Sequence, residues 1–184
     1  MRRAAPYLIG LALGFALAPL RDQTEAADAG TLEYAVKANF LYKFGDYVSW
    51  PPDALGPEEN ALPLCVVGDD PFGKVLDDAV KGEHVGKHAI AVKRMTEVTP
   101  DAVCRILFAR TPAALKAVAG SAVLTISEAA GDEVATGAVI TFVIRNNRVR
   151  FAIDQQAAAA NGLEISSKLL ELAVAVTPRT GSGR

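Results

Sequence analysis

Leu64–Val67 is a short continuous apolar run that reads as a strand, and Arg105–Ala109 and Ala122–Ile126 read as further short, largely apolar strands. Strands of that kind are buried on both sides, which is the situation of a parallel sheet covered by helices. Helical segments lie between them. Gly68-Asp69-Asp70-Pro71 turns into a helix over Phe72–Val80, with Asp70 as its N-cap and Pro71 at the first helical position. Thr111-Pro112 opens a helix over Ala113–Ala119, and Gly120 ends it. His88–Met95 reads as a further strand. This alternation predicts an α/β fold, with a mostly parallel sheet and helices on both faces. A late antiparallel hairpin, Ala138–Ile144 and Val149–Ile153, closes on Asn146-Asn147 and adds to one edge, because asparagine tolerates the left-handed backbone of such a turn.

Helices flank this frame. Leu32, Val36, Phe40, Phe44 and Val48 recur every four residues, predicting a helix over Thr31–Ser49 with Thr31 as N-cap, stopped by Pro51-Pro52. This helix is expected to form one wall of the core, with Trp50 packed at its end. Asp154 caps a short Ala-rich helix that ends at Asn161-Gly162, and Ser166 or Ser167 starts the last one. At 51 % hydrophobic and 22 % charged, the chain carries enough apolar material for one real core.

The N-terminus is of another kind. Met1-Arg2-Arg3 precedes an uncharged run, Tyr7–Leu20, that is too short to span a bilayer comfortably but suits a signal peptide. Ala27-Asp28-Ala29 offers a small-residue cleavage site, and Thr24-Glu25-Ala26 a second. The expected organisation is a signal peptide over 1–29 and a soluble domain over 30–184; an uncleaved anchor is the alternative. Either places the domain outside the cytoplasm. There the two cysteines, Cys65 and Cys104, are expected to form a disulfide. The alternative is a pair of buried thiols. Neighbouring parallel strands would bring the two together, and closing such a loop is worth about 4 kcal/mol in the chain-entropy picture.

Catalytic and metal chemistry find little support. Asp69 and Asp70 resemble part of a phospho-acceptor pocket, but the strand Arg105–Ala109 ends without the aspartate that chemistry requires. His84 and His88 are separated by Val85-Gly86-Lys87, a loop entering a strand, with no third ligand at metal spacing. Ser166-Ser167-Lys168 lacks the spacing of a Ser-Lys nucleophile and reads as a cap. Arg145, Arg148 and Arg150 surround the hairpin turn, either for an acidic partner or as a charged edge that discourages strand addition. A net charge of −2 gives no attraction to nucleic acid. The residues alone therefore describe a binding or regulatory domain with no catalytic residues, no metal and no cofactor.

The segment Tyr34–Pro51, YAVKANFLYKFGDYVSWP, resembles the aromatic-rich first helix of the YfiR family of periplasmic regulators. Further segments agree in order: Cys65–Gly73, Cys104–Phe108, Val123–Ile126, Ala138–Phe142, Val149–Asp154 and Ala159–Leu170. The resemblance implies a periplasmic repressor that binds the periplasmic part of an inner-membrane diguanylate cyclase and holds its GGDEF output off. Control of cyclic-di-GMP, biofilm formation and motility follows from that. It further implies a homodimer, sequestration by an outer-membrane lipoprotein, and sensitivity to redox conditions. Cys65 and Cys104 match one cysteine pair of the family; a second pair is absent, since no cysteine lies between Ser127 and Asp154. Some related domains are sensor parts of other signalling systems. The competing expectation is therefore a small-ligand sensor with a pocket near the C-terminal ends of the parallel strands. A reporter fused after Ala29 should be active only outside the cytoplasm; recovery of the full-length chain from the cytosol would overturn this compartment.

Overall fold

The computed structural model describes residues 22–99, 102–131 and 133–180, with 22–29 as backbone only. The apolar run Tyr7–Leu20 lies outside the described residues. Both cleavage motifs fall in the opening turns of the first helix, α1 (Asp22–Lys43). No helix of the described residues is long and apolar enough to cross a membrane.

The main sheet has eight strands. In chain order they are β2 (Leu62–Val67), β3 (His84–Val85), β4 (His88–Met95), β5 (Ile106–Ala109), β6 (Leu124–Glu128), β7 (Ile140–Arg145), β8 (Arg148–Asp154) and β10 (Ala175–Thr177). Their spatial order is β10-β8-β7-β6-β5-β2-β4-β3. Neighbours are parallel except the β7–β8 and β3–β4 hairpins. A separate antiparallel pair joins β1 (Val48–Ser49) to β9 (Glu164–Ile165). Alternate residues of the central strands face opposite sides. On one side Leu64, Val66, Ile106, Phe108 and Ile126 meet α1 and α2 (Lys74–Val80). On the other, Val67, Leu107 and Ala109 meet α3 (Pro112–Ala117) through Ala114 and Leu115. The continuous apolar runs are thus buried on both faces by helices, as their composition requires.

Cys65 in β2 and Cys104 just before β5 are joined across this second face, with Cα atoms 5.8 Å apart. Both are buried. Turn chemistry acts where the side chains dictate it. Asn146 and Asn147 take φ of 51° and 57°, giving β7 and β8 a two-residue left-handed turn. Asp154 Oδ1 accepts from Gln156 N at 2.8 Å and from Ala157 N at 2.9 Å, opening α4 (Gln155–Ala160).

Several boundaries differ from the sequence reading. The first helix starts before Thr31, which is therefore no cap, and ends at Lys43 rather than Ser49. Phe44–Tyr47 tighten into a 3-10 turn, and Val85 passes over Gly45 within it. A Cβ on Gly45 would lie 2.8 Å from a Val85 methyl. Val48 and Ser49 then leave to pair with Ile165 and Glu164. α2 begins at Lys74, after Gly73 at φ 49°; Asp70 instead closes the preceding turn by accepting from Phe72 N at 2.8 Å. The late hairpin is not the sheet edge. The last helix, α5 (Ser167–Leu172), is short, and the chain returns as β10 outside β8. Trp50 is half-buried at the core margin, with its indole Nε1 sealed from water and unpartnered.

Reduction of the Cys65–Cys104 bridge, or Cys65→Ala with Cys104→Ala, should lower the unfolding free energy by about 2–4 kcal/mol in urea titrations. Two freely titrating thiols in unreduced, denatured protein would refute the bridge.

Candidate functional site

The residues singled out in the sequence do not converge. Asp70 Oδ2 accepts from Arg94 Nε at 2.6 Å, and Arg94 Nη1 donates to Asp77 at 2.9 Å. Burial pushes the Asp70 carboxyl up, but Arg94 and the backbone N–H groups of Phe72 and Gly73 outweigh it and hold the carboxyl below its ordinary range. Asp70 thus ties the β2–α2 turn to β4. His88 opens β4, as its sequence predicts, and His84 is not a loop residue but lies in β3 of the same hairpin. His84 is exposed, while His88 is buried with Nδ1 2.9 Å from the Asn60 carbonyl oxygen. Among the described residues no three His, Cys, Asp or Glu side chains gather at metal-binding distance. Ser166 Oγ accepts from Leu169 N at 3.4 Å as the cap of α5, and Lys168 is exposed.

What the structure does assemble is a groove between α1 and the β7–β8 hairpin. A helical turn takes 3.6 residues, so a row spaced by four winds about 40° around the axis at each step. The row that predicts a single buried stripe therefore leaves the core toward its N-terminal end. Phe44 is 1 % exposed, Phe40 is half-buried, Val36 is 38 % exposed and Leu32 is 67 % exposed. Ile144 and Val149 face this row from the hairpin, with Arg148 and Arg150 beside them, around a cavity of about 410 Å³. A second depression on the other side of Leu32 and Val36 runs past Asn39 to Lys43. Arg148 and Arg150 have no ion-pair partner among the described residues. Of the three hairpin arginines, the structure brings these two to the groove.

Next to the groove lies a charge cluster that sequence reasoning missed. Lys37, on the buried side of α1, donates from Nζ to Glu128 Oε1 at 2.7 Å and to Glu33 Oε1. Its side chain is only 5 % exposed. Tyr34 OH donates to Glu128 Oε2 at 3.4 Å, and the ammonium lies 4.7 Å from the Tyr34 ring centroid. Burial would lower the Lys37 pKa, but the hydrogen bonds and charges of Glu128 and Glu33 win, and it is raised. Burial and the Glu128 charge likewise raise the Tyr34 hydroxyl. The only local hint is the Glu33–Lys37 spacing of four; Glu128 arrives from 91 residues away.

Residues 34–174 match the family described as YfiR/HmsC-like. The chain belongs to the YfiR/HmsC-like family. Its matched span holds the Lys37–Glu128 pair, both cysteines and the hairpin, and stops short of β10. YfiR/HmsC-like proteins are regulators rather than enzymes. No curated protein matches the chain.

Lys37→Met should cost about 3–5 kcal/mol of stability, because it strands a buried carboxylate. The same pair sets a pH dependence. The stability from Lys37 is fully present below its ordinary pKa of 10.5 and is lost as pH rises through its raised folded value. Urea titrations of wild type and Lys37→Met across alkaline pH should converge; a constant gap would show that the pair is not the cause.

Proposed function

We propose that this YfiR/HmsC-like chain is exported, loses residues 1–29, and acts in the periplasm as a repressor of an inner-membrane diguanylate cyclase. The observation that carries this reading is the family match over residues 34–174. A periplasmic domain cannot touch cytoplasmic cyclic-di-GMP, so its effect must pass through a membrane-spanning partner. Binding one conformation of the cyclase's periplasmic part better than the other holds the GGDEF output off. One decade of repression needs about 1.4 kcal/mol of differential binding.

The surface supports a protein partner over a small ligand. Exposed Leu32, Val36 and Ile144 form an open apolar strip of the kind that marks docking sites. The polar cavity nearest the C-terminal end of β6, about 440 Å³, is lined by Glu33, Lys37 and Glu128. These groups satisfy one another instead of converging on a ligand.

Deleting the protein should raise cyclic-di-GMP and biofilm formation, and the rise should vanish when one inner-membrane diguanylate cyclase is deleted as well. Returning the exported form should restore repression, whereas a form lacking residues 1–29 should not. Unchanged nucleotide levels, in cells where the cyclase is expressed and active, would sink the repressor reading.

A further inference from the structure

We propose that the part of β8 left uncovered by β10, Arg148–Arg150, is a docking edge for an extended segment of a partner protein, which adds to it as a strand and carries an apolar residue between two acidic ones. This deepens the reading above by naming the surface and the chemistry of the partner segment, and to that extent rests on it.

The backbone supplies the edge. β10 pairs with β8 only at Ala152–Asp154, whereas β7 lies along the other side of β8 from Arg148 to Ile153. Asp154 N donates to Val139 O, on the β7 side, at 2.8 Å. Phe151 O accepts from Val174 N, on the outer side, at 2.9 Å. Backbone groups of successive residues alternate between the two sides of an antiparallel strand. The odd-numbered residues of β8 thus turn theirs outward. Val149 presents both its N–H and its C=O there, ahead of the first residue that β10 covers, and no strand of the described residues takes them up.

The same alternation sorts the side chains. Phe151 turns toward α1, its ring 5.8 Å from that of Phe40. Val149 turns the same way, and Arg148 and Arg150 stand on the opposite face. Val149 shares its face with Ile144, its partner in β7, and the two meet Leu32, Val36 and Phe40 around the groove. Residues directly opposite one another on neighbouring strands lie on one face, so an added strand repeats this order. Its residue opposite Val149 lies over the apolar groove, and the residues on either side of it face Arg148 and Arg150. In an antiparallel addition Val149 forms the hydrogen-bonded pair. The arginines then fall in the closer kind of pair, with Cα atoms about 4.5 Å apart. Neither arginine has an ion-pair partner among the described residues. An apolar floor on one face and two uncompensated cations on the other select the acidic–apolar–acidic order.

Charge excludes a second copy of this chain as the added strand. Whether Val149 meets Asn147, Val149 or Phe151 of an antiparallel copy, arginine falls opposite arginine. Like charges directly opposite are destabilising. A helix keeps its own amides bonded internally, and a bilayer has none, so neither completes the ladder at Val149.

The test is photo-crosslinking in the native cell envelope, with the full chain carrying p-benzoylphenylalanine in place of Leu32, at the mouth of the groove. The expected result is an adduct whose partner peptide, sequenced by mass spectrometry, has an apolar residue directly between two Asp or Glu. Val149→Pro removes the outward N–H and spares the bonds to β7, so it should cut adduct yield about tenfold or more. Val149→Thr keeps that N–H and should leave the yield close to wild type. Arg148→Glu with Arg150→Glu should cut the yield as Val149→Pro does, while Arg148→Lys with Arg150→Lys should largely retain it. Thermal melts report folding, and if Val149→Pro does not fold, the charge reversal and the sequenced pattern decide. An adduct that persists in folded Val149→Pro overturns the proposal. So does one to phospholipid, to a second copy of this chain or to a segment lacking that pattern, and so does the absence of any adduct. The two readings separate cleanly. A strand adduct of the expected pattern to a protein that is not a cyclase, with unchanged cyclic-di-GMP on deletion, keeps this proposal and removes the repressor reading. Repression without such an adduct does the reverse.

Discussion

The packing of Phe44 determines how the first helix sits on the sheet. Its ring lies 5.5 Å from Phe40, 5.8 Å from Phe142 and 5.0 Å from Phe151. It therefore joins the C-terminal end of α1 to both strands of the hairpin. Burying one such ring contributes about 1.5–3 kcal/mol, and each well-placed aromatic pair about 0.5–1.5 kcal/mol more. Because the helix is anchored by that end, its slowly winding apolar row must emerge from the core toward the other. The groove is thus a by-product of the same contact that builds the core, and Gly45 beside it lets Val85 close over the turn.

Lys37 sets the remaining degree of freedom, the rotation of α1 about its own axis. Removing an ammonium from water is costly, and an apolar side chain of similar size often gives equal or greater stability. Turning the helix by one residue, about 100°, would bury Leu32 or Val36 in its place. It would also leave Glu128, 13 % exposed at the end of β6, without its counter-charge. The ion pair makes that alternative expensive. It keeps Val36 and Leu32 outward even though burying them would be favourable on hydrophobic grounds alone.

Much of the architecture was legible because local chemistry and burial agree. Continuous apolar runs bounded by Pro, Gly and Asp predict doubly covered parallel strands, and the turn at Asn146-Asn147 and the cap at Asp154 act at their own positions. The misreadings arose where tertiary contact overrides local pattern. Just past the end of α1, Gly45 packs under Val85, which comes from 40 residues along the chain. β3 is two residues long, and β10 carries only Ala175, Val176 and Thr177, which look like the tail of a helix until β8 is there to pair with them. The groove was hidden for a different reason. A spacing of four reads as one face in a short window, and its drift matters only over the successive turns from Leu32 to the end of α1. The Lys37–Glu128 pair has no local signature at all, since a lysine on a helix is most often solvated.

β10 also makes the sheet depend on the C-terminal segment. The outer amides and carbonyls of β8 at Ala152–Asp154 pair with residues 175–177, beside Phe151 and Ile153. Without that strand, this part of β8 is a template for another chain. A chain cut short ahead of Val174 would keep nearly all of its core and expose this edge, whereas trimming beyond Pro178 leaves the β8–β10 pairing in place.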